Sequence, residues 1–449
     1  MLKIIWLPIE RRPVYRAAVF HFVKALLCLY VVLRFLLPLP WPRWLRGAIA
    51  AVLMIVFQHS LISLLVFGTM FSPEVPRWLM IAANWLSGSV LLLAVAQIAI
   101  DCVLIILTLA LRRRFRPSVH IRYAVGLAAV AISAFGVSQA IRVPAVKEVS
   151  LSIANLPAEF EGYRVVQLTD LHISRLFQAD WVVKTVDLAN AQNPDLIVVT
   201  GDLIDGDLQA RKMDVAPLAK LSAKDGVFVI PGNHEYYFGH DCWMRQYKDL
   251  GMKAIDNGHV ILDRGDAKLV LAGVTDLSAA NFDLPGPDVG KAISGSPSGS
   301  PVILLDHQPK NAADAARLGV DVQLSGHTHG GMIVGFDRLI AQFNNGFVSG
   351  LYDVDGMTLY VNNGTALWIG FALRIGVPSE LTVLKLTRAE NTVRQGYAMF
   401  KSTEESRTET AVTVETDPKY KQAFFAYTGA ALFGASTPIF KVRKFSGKK

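Results

Sequence analysis

The sequence predicts an α/β domain of alternating strands and helices, preceded by a small bundle of membrane-spanning helices. Apolar residues make up 52% of the 449 positions and charged residues only 18%. The mean hydropathy of +0.35 is above that of ordinary soluble globules, and the two longest uncharged runs, 47–73 and 78–100, lie before residue 143. From about Val149 the texture changes to short β-rich runs alternating with stretches of helical spacing. Charge divides at the same place: residues 1–150 carry 16 Lys/Arg and 4 Asp/Glu, and the remainder 29 against 33.

This asymmetry assigns the pI of 9.3 to the membrane half. A nucleic-acid enzyme is expected to carry its basic patch on the catalytic domain, where it neutralises phosphates. Here that domain is slightly acidic, so no nucleic-acid partner is expected. Cys28, Cys102 and Cys242 are too few and too scattered for a disulfide framework or a thiolate metal cluster.

Three segments read as spans of about the ~20 residues needed to cross the hydrocarbon core: Gly47 to Phe71, Trp85 to Leu111 and Tyr123 to Ile141. A fourth, Ala17 to Leu37, is interrupted by Lys24 and Arg34 and reads as a span with snorkelling ends or as an interfacial helix. The membrane domain (1–143) therefore holds three or four transmembrane helices and makes the protein multi-pass. The cluster Arg112, Arg113, Arg114 and Arg116 marks its loop as cytoplasmic and places the chain after Pro144 on the extracytoplasmic face. The N-terminal cluster Arg11, Arg12 and Arg16 agrees only if the fourth segment does not cross. Asp101, inside a span, is expected to pair with an Arg or a Ser of the bundle.

Residues 144–150 read as a linker and 151–390 as the α/β domain. Its β-rich runs are Val165 to Leu168, Leu196 to Thr200, Val227 to Ile230, Leu269 to Ala272, Val302 to Leu305 and Val322 to Leu324. Helical spacing covers Asp180 to Ala191, Asp241 to Leu250 and Lys310 to Leu318, and Ser294 to Pro301 is a surface loop. Residues 391–449 form a tail, first polar and expected to be disordered, then apolar and basic with a membrane-associated reading.

Five short blocks follow β-rich runs: Asp170-Leu171-His172, Gly201-Asp202, Gly232-Asn233-His234-Glu235, His307, and Gly326-His327-Thr328-His329-Gly330. The carboxyl ends of strands in an α/β sheet converge on one crevice, so these blocks can meet there. Two carboxylates (Asp170, Asp202), four imidazoles (His172, His307, His327, His329) and the amide of Asn233 form a sulfur-free set suited to Mn²⁺, Fe or Zn²⁺. Seven ligands exceed the needs of one tetrahedral ion. They suit two ions about 3.5 to 4 Å apart that share a carboxylate and clamp an in-line phosphoryl displacement. Gly201, Gly232 and Gly326 let the backbone approach without a Cβ in the way.

In this order, DLH, GD, GNHE and GHTHG resemble the calcineurin-like metallophosphoesterase superfamily, from about Tyr163 to Leu386. The texture TDLHIS, PDLIVVTGDLID, PGNHE and LSGHTHGG is most similar to its bacterial membrane-associated branch. The resemblance implies a four-layer αββα sandwich. It makes Asp170, His172 and His329 ligands of one metal, Asp202 the bridge, and Asn233, His307 and His327 ligands of the second. His234 matches the histidine that assists the leaving group, a role an imidazole beside two dications and a phosphate can fill. Asp205 and Glu235 read equally as groups orienting a ligand or as helix-capping and solvated residues. Asp306 and Asp276 read as structural. Met332 and Asn363 depart from the branch, where a glutamine and a basic residue are expected, and both are expected to line the substrate pocket.

The function expected is a membrane-anchored hydrolase with two divalent ions per chain, Mn²⁺ first, in which a metal-bridging hydroxide attacks a phosphomono- or phosphodiester in line. Tethering favours a lipid-linked or envelope substrate and contact with membrane lipids. The alternative is a non-catalytic metal-binding protein of membrane sensing or transport.

Overall fold

The computed structural model describes residues 12–389 and 443–444. The expected tail at 391–449 lies outside them, apart from Arg443–Lys444.

The first helix, α1 (Arg12–Val31), runs on through a π-helical turn at Val32–Leu36. It is followed by α2 (Arg43–Phe57), α3 (His59–Phe67), α4 (Arg77–Leu111) and α5 (Val119–Ile141). Three of these are long and apolar enough to cross a membrane: Ala18–Leu36, Arg77–Leu111 and Val119–Ile141. The expected continuous span from Gly47 to Phe71 is instead the pair α2 and α3, bent by 57°. The break falls at Gln58, which leaves helical geometry and gives its side-chain amide to the His21 carbonyl 2.8 Å away. The segment read as the weakest, Ala17 to Leu37, is helical and apolar because both cations that interrupt it find partners. Lys24 Nζ donates to Ser60 Oγ at 2.8 Å, and Arg34 pairs with Asp101 at 2.8 Å. The same pair gives Asp101 the interhelical arginine expected of it. Helix α4 begins eight residues before Trp85 because its first turns pack on the α/β domain, where Met80 and Asn84 are buried.

The strands are β1 (Ala145–Ile153), β2 (Arg164–Leu168), β3 (Leu196–Thr200), β4 (Val227–Ile230), β5 (Lys253–Ala254), β6 (Gly258–Arg264), β7 (Ala267–Gly273), β8 (Val302–Leu305), β9 (Val322–Ser325), β10 (Gly350–Val354), β11 (Met357–Val361), β12 (Glu380–Arg388) and β13 (Arg443–Lys444). They form a six-stranded sheet in the order β1-β12-β2-β3-β4-β5 and a seven-stranded sheet in the order β13-β10-β11-β9-β8-β7-β6. Of residues 144–150, expected to be a linker, all but Pro144 belong to β1, which pairs in parallel with β12 over its full length. An edge strand with Lys147 beside Glu148, and with Ser150 and Ser152 between Val149, Leu151 and Ile153, reads locally as a polar connection, and the non-local partner is what makes it a strand.

Side-chain alternation builds the layers. Val165, Leu196, Val198, Phe228 and Ile230 of the first sheet pack against Leu269, Leu271, Ile303, Leu305, Val322 and Leu324 of the second. The opposite face of the first sheet (Val166, Ile197, Val199, Val229) is covered by Trp181, Val186, Trp243 and Tyr247 from helices. That of the second (Val270, Ala272, Leu304) is covered by Val289, Ala312 and Ala315. With both faces buried, the central strands are continuous apolar runs, as parallel sheets require. Two mixed sheets flanked by helices form the expected sandwich. The carboxyl ends of β2, β3, β4, β8 and β9 open on one side.

Candidate metal centre

Each of the five blocks is the loop that leaves one of these five strands. The turns are tight. Asp170, His172, Asp202, His327 and His329 all lie in the left-handed region, with φ between 41° and 70°. Such conformations cost about 1–3 kcal/mol each and persist only where the surroundings dictate them. The glycines are required by close approach. A Cβ on Gly201, itself at φ +89°, would lie 2.6 Å from the Gly232 nitrogen, and one on Gly326 would collide with Thr169 and the Asp170 carboxylate.

The loops bring the expected residues together in a buried cluster. His172 Nε2 lies 3.8 Å from Asp170 Oδ1 and 3.9 Å from Asp202 Oδ2, and His329 Nε2 lies 3.6 Å from Asp170 Oδ1. On the other side His307 Nε2 lies 3.2 Å from Asp202 Oδ2. Asp170, His172 and His329 form one group able to hold an ion, and Asp202, His307 and His327 a second. Asp202 Oδ2 faces both. Asn233 is buried at the start of the short helix α6 (Asn233–Tyr237).

Whether these residues fit metal ions is tested by their unpaired atoms. Asn233 Oδ1 and His172 Nε2 are buried without a hydrogen-bond partner, and His307 Nε2 faces only the Asp202 carboxylate. Buried polar atoms are rarely left so, and a set of them converging on carboxylates is what cations would complete. The imidazoles are turned by their other nitrogen. His307 Nδ1 donates to the Thr200 carbonyl at 2.8 Å, and His172 Nδ1 to Asp205 Oδ1 at 3.0 Å.

Burial opposes the charge of Asp202, but the imidazoles of His307 and His234 outweigh it and hold this carboxyl well below its usual range. Burial lowers His327 to about 4, helped by His307, and holds His329 well below the usual imidazole range, helped by His172. Both rings are thus neutral, the form that ligates metals. Burial disfavours the cation of His234, yet the charges of Asp202 and Asp205 raise it to about 9.

Asp205 accepts from both His172 and His234, the second at 2.6 Å, and so orients one expected ligand and the expected catalytic residue together. Glu235 has the other role left open. It caps α6 and takes the backbone N–H groups of Gly232, Asp202 and Leu203 at 2.7, 3.1 and 2.8 Å, plus the Tyr247 hydroxyl at 3.0 Å. Asp276 caps a 3-10 turn through the Ser278 N–H at 2.7 Å and receives Gln308.

Two residues escaped the sequence reading. Arg374 is buried beneath Asn363, where a basic residue is expected, and its guanidinium donates to the carbonyls of His329, Asn363, Ala366 and Val377. Phe71, from the loop joining α3 to α4, sets its ring edgewise on His234 with centroids 5.1 Å apart. Neither belongs to a motif, and Phe71 lies in a stretch read as lipid-spanning.

Residues 163–331 match the family model described as calcineurin-like phosphoesterase. The chain is 34% identical over 295 residues to an uncharacterized metallophosphoesterase of Campylobacter jejuni, covering 64% of this chain and 76% of that protein. It is 33% identical over 267 residues to a transmembrane protein with metallophosphoesterase domain of Danio rerio, 58% of this chain and 61% of the other. It thus spans less than two thirds of the fish protein. Among solved structures it is similar to the NAD nucleotidase of Haemophilus influenzae, with a TM-score of 0.33 and 16% identity over 45% of this chain and 50% of that one, too remote to inform on substrate. The chain belongs to the calcineurin-like metallophosphoesterase family, metal-dependent hydrolases of phosphoric esters.

Proposed function

We propose that the protein is a multi-pass membrane phosphoesterase whose α/β domain, on the extracytoplasmic face, hydrolyses a phosphomono- or phosphodiester of the cell envelope that is linked to a lipid. The observation that carries this reading is the convergence of unpaired buried ligand atoms on both sides of Asp202 Oδ2, at the point where the membrane helices meet the domain. Asp170, His172, His329 and Asp202 would hold one divalent ion, and Asp202, Asn233, His307 and His327 the other, with Mn²⁺ the first choice. Such a pair supplies an activated water and neutralises charge developing on phosphorus. His234 stands beside this set with Nδ1 fixed by Asp205 and its other nitrogen free to deliver a proton to the departing alcohol. A protein that only bound metal would have no use for an imidazole held in that way.

The test is hydrolysis of lipid and soluble phosphoesters by the purified full-length protein. Chelation is expected to abolish turnover and Mn²⁺ to restore it. Asp202→Ala is expected to lose both ions. His234→Asn is expected to keep both and lose on the order of 10²-fold in rate. Full activity and metal content in Asp202→Ala would overturn the reading.

A further inference from the structure

The side of the centre on which His234 stands is built of aromatic rings, and one of the two that lie closest to it, Phe71 at 5.1 Å beside Tyr237 at 5.2 Å, comes from the membrane domain. Phe71 lies four residues after Phe67, the last residue of α3. It stacks on Tyr237 with centroids 5.3 Å apart and lies 5.6 Å from Trp368, and Tyr237 meets Phe282 at 6.2 Å. The loop carrying Phe71 is tied down. Ser72 Oγ donates to Glu74 at 2.8 Å, Arg175 to Glu74 at 2.9 Å, and Arg77 to the Leu176 carbonyl at 3.0 Å. Arg211, fully buried, joins Glu74 to the Asp205 carbonyl. The same Asp205 fixes His234, so the aromatic wall and the leaving-group histidine form one assembly. On either side of Phe71 along the chain, Phe67, Trp78 and Leu79 of the apolar helices are 38%, 69% and 41% exposed.

We infer that the part of the substrate leaving as the alcohol is its hydrocarbon-bearing part, seated against Phe71, Tyr237 and Trp368, while the phosphate and any polar headgroup face the aqueous side. This rests on the phosphoesterase reading above and specifies which bond is cut. The oxygen of water bonds to phosphorus, and the bond from phosphorus to the lipid alcohol breaks. The electron pair left on that oxygen takes the proton of His234, which regains one from the water consumed. The lipid alcohol stays in the membrane and the phosphate departs into water. The occupant of the wall is an alkyl chain because the loop that carries Phe71 joins two apolar helices of the membrane domain.

The experiment uses full-length protein in lipid nanodiscs with Mn²⁺, and measures kcat and KM for ethyl, butyl, hexyl and octyl phosphate with p-nitrophenyl phosphate as the reference ester. The ratio kcat/KM is expected to rise by up to about fourfold for each methylene that reaches the wall. Phe71→Ala and Trp368→Ala are expected to flatten that rise, and Phe71→Leu to restore part of it, each with two ions still bound per chain. From phosphatidylglycerol in the disc the product is expected to be diacylglycerol. A flat dependence on chain length in a protein that turns over p-nitrophenyl phosphate, or phosphatidate as the product, would overturn this inference and leave the phosphoesterase reading standing. No turnover of any ester, p-nitrophenyl phosphate included, would overturn both.

Discussion

Asp205 is the residue on which the geometry of the proposed centre turns. Its carboxylate holds two imidazoles, and although burial opposes its charge, His172 and His234 hold it down at about 2. Replacing it by Asn leaves an acceptor but removes the charge that fixes both rings. Asp205→Asn is therefore expected to weaken Mn²⁺ binding by about 10- to 100-fold, the usual effect of losing a group that orients a ligand, as read by competition with a metal indicator. A lowered melting temperature with unchanged metal affinity would reduce Asp205 to a structural role. Glu235 predicts the converse pattern, since its oxygens take three backbone N–H groups, two of them from the strained loop of Asp202. Glu235→Ala leaves these donors buried and unpaired at about 1–3 kcal/mol for each group. A large fall in thermal midpoint is expected even for protein saturated with metal, and an unchanged midpoint would contradict the role. The convergence of the seven proposed ligands and His234 is legible in the sequence because each follows a β-rich run. Asp205 and Glu235 were only half legible, because their roles depend on which backbone they face. Arg374 and Phe71 were not legible at all, because their meaning comes from segments distant in sequence.

At the scale of elements, the segment from Trp368 to Val377 is the hinge between the two halves. Asn84 of α4 gives its amide to the Ile369 carbonyl at 3.0 Å and takes the Ala372 N–H at 2.6 Å, and the Arg374 N–H reaches the Gly136 carbonyl of α5 at 3.0 Å. Leu373 fits only because α4 and α5 present glycines. A Cβ on Gly136 would come within 2.7 Å of Leu373 and 3.2 Å of the Arg374 carbonyl. Gly136→Val thus overpacks the contact, at about 1–3 kcal/mol, and displaces Arg374, which braces the His329 backbone. Loss of both thermal stability and kcat is expected, with Gly136→Ala intermediate; a neutral Gly136→Val would show that the halves are coupled elsewhere. This docking explains what the sequence concealed in the bundle. Lys24, Arg34 and the polar run at Gln58 look like interruptions when read locally. In the fold they are joined to Ser60, Asp101 and His21, partners that hydropathy along the chain cannot supply.

At the scale of the molecule, the contacts set the direction of every helix. Helix α1 starts beside the end of α2, where Gln58 meets His21 and His59 Nε2 lies 3.1 Å from the Gly370 carbonyl of the α/β domain. It ends at the opposite pole, where Arg34 meets Asp101. The pair α2 and α3 returns to the domain at Phe71, α4 leaves it from Arg77, and α5 comes back to β1. Four crossings are expected if the bent pair counts as one span, and the helix ends away from the α/β domain carry Arg34, Arg43, Arg46, Arg112, Arg113, Arg114, Arg116 and Arg122, with Asp101 paired to Arg34. Arginines near span ends oppose translocation, so this pole is expected in the cytoplasm. The α/β domain and the start of α1 are expected outside, although Arg12 and Arg16 accompany the latter. Of the three or four spans expected, four would place the N-terminal arginine cluster outside and three would place it inside. With native cysteines removed, a cysteine placed among Arg112 to Arg116 is expected to resist an impermeant thiol reagent in intact cells. One placed just before Ala18, and one in the exposed loop at Ser296, are expected to react. Protection of the position before Ala18 with reaction at Ser296 would mean that α1 does not cross, while the reverse labelling of all three would put the centre in the cytoplasm and its lipid substrate in the inner leaflet.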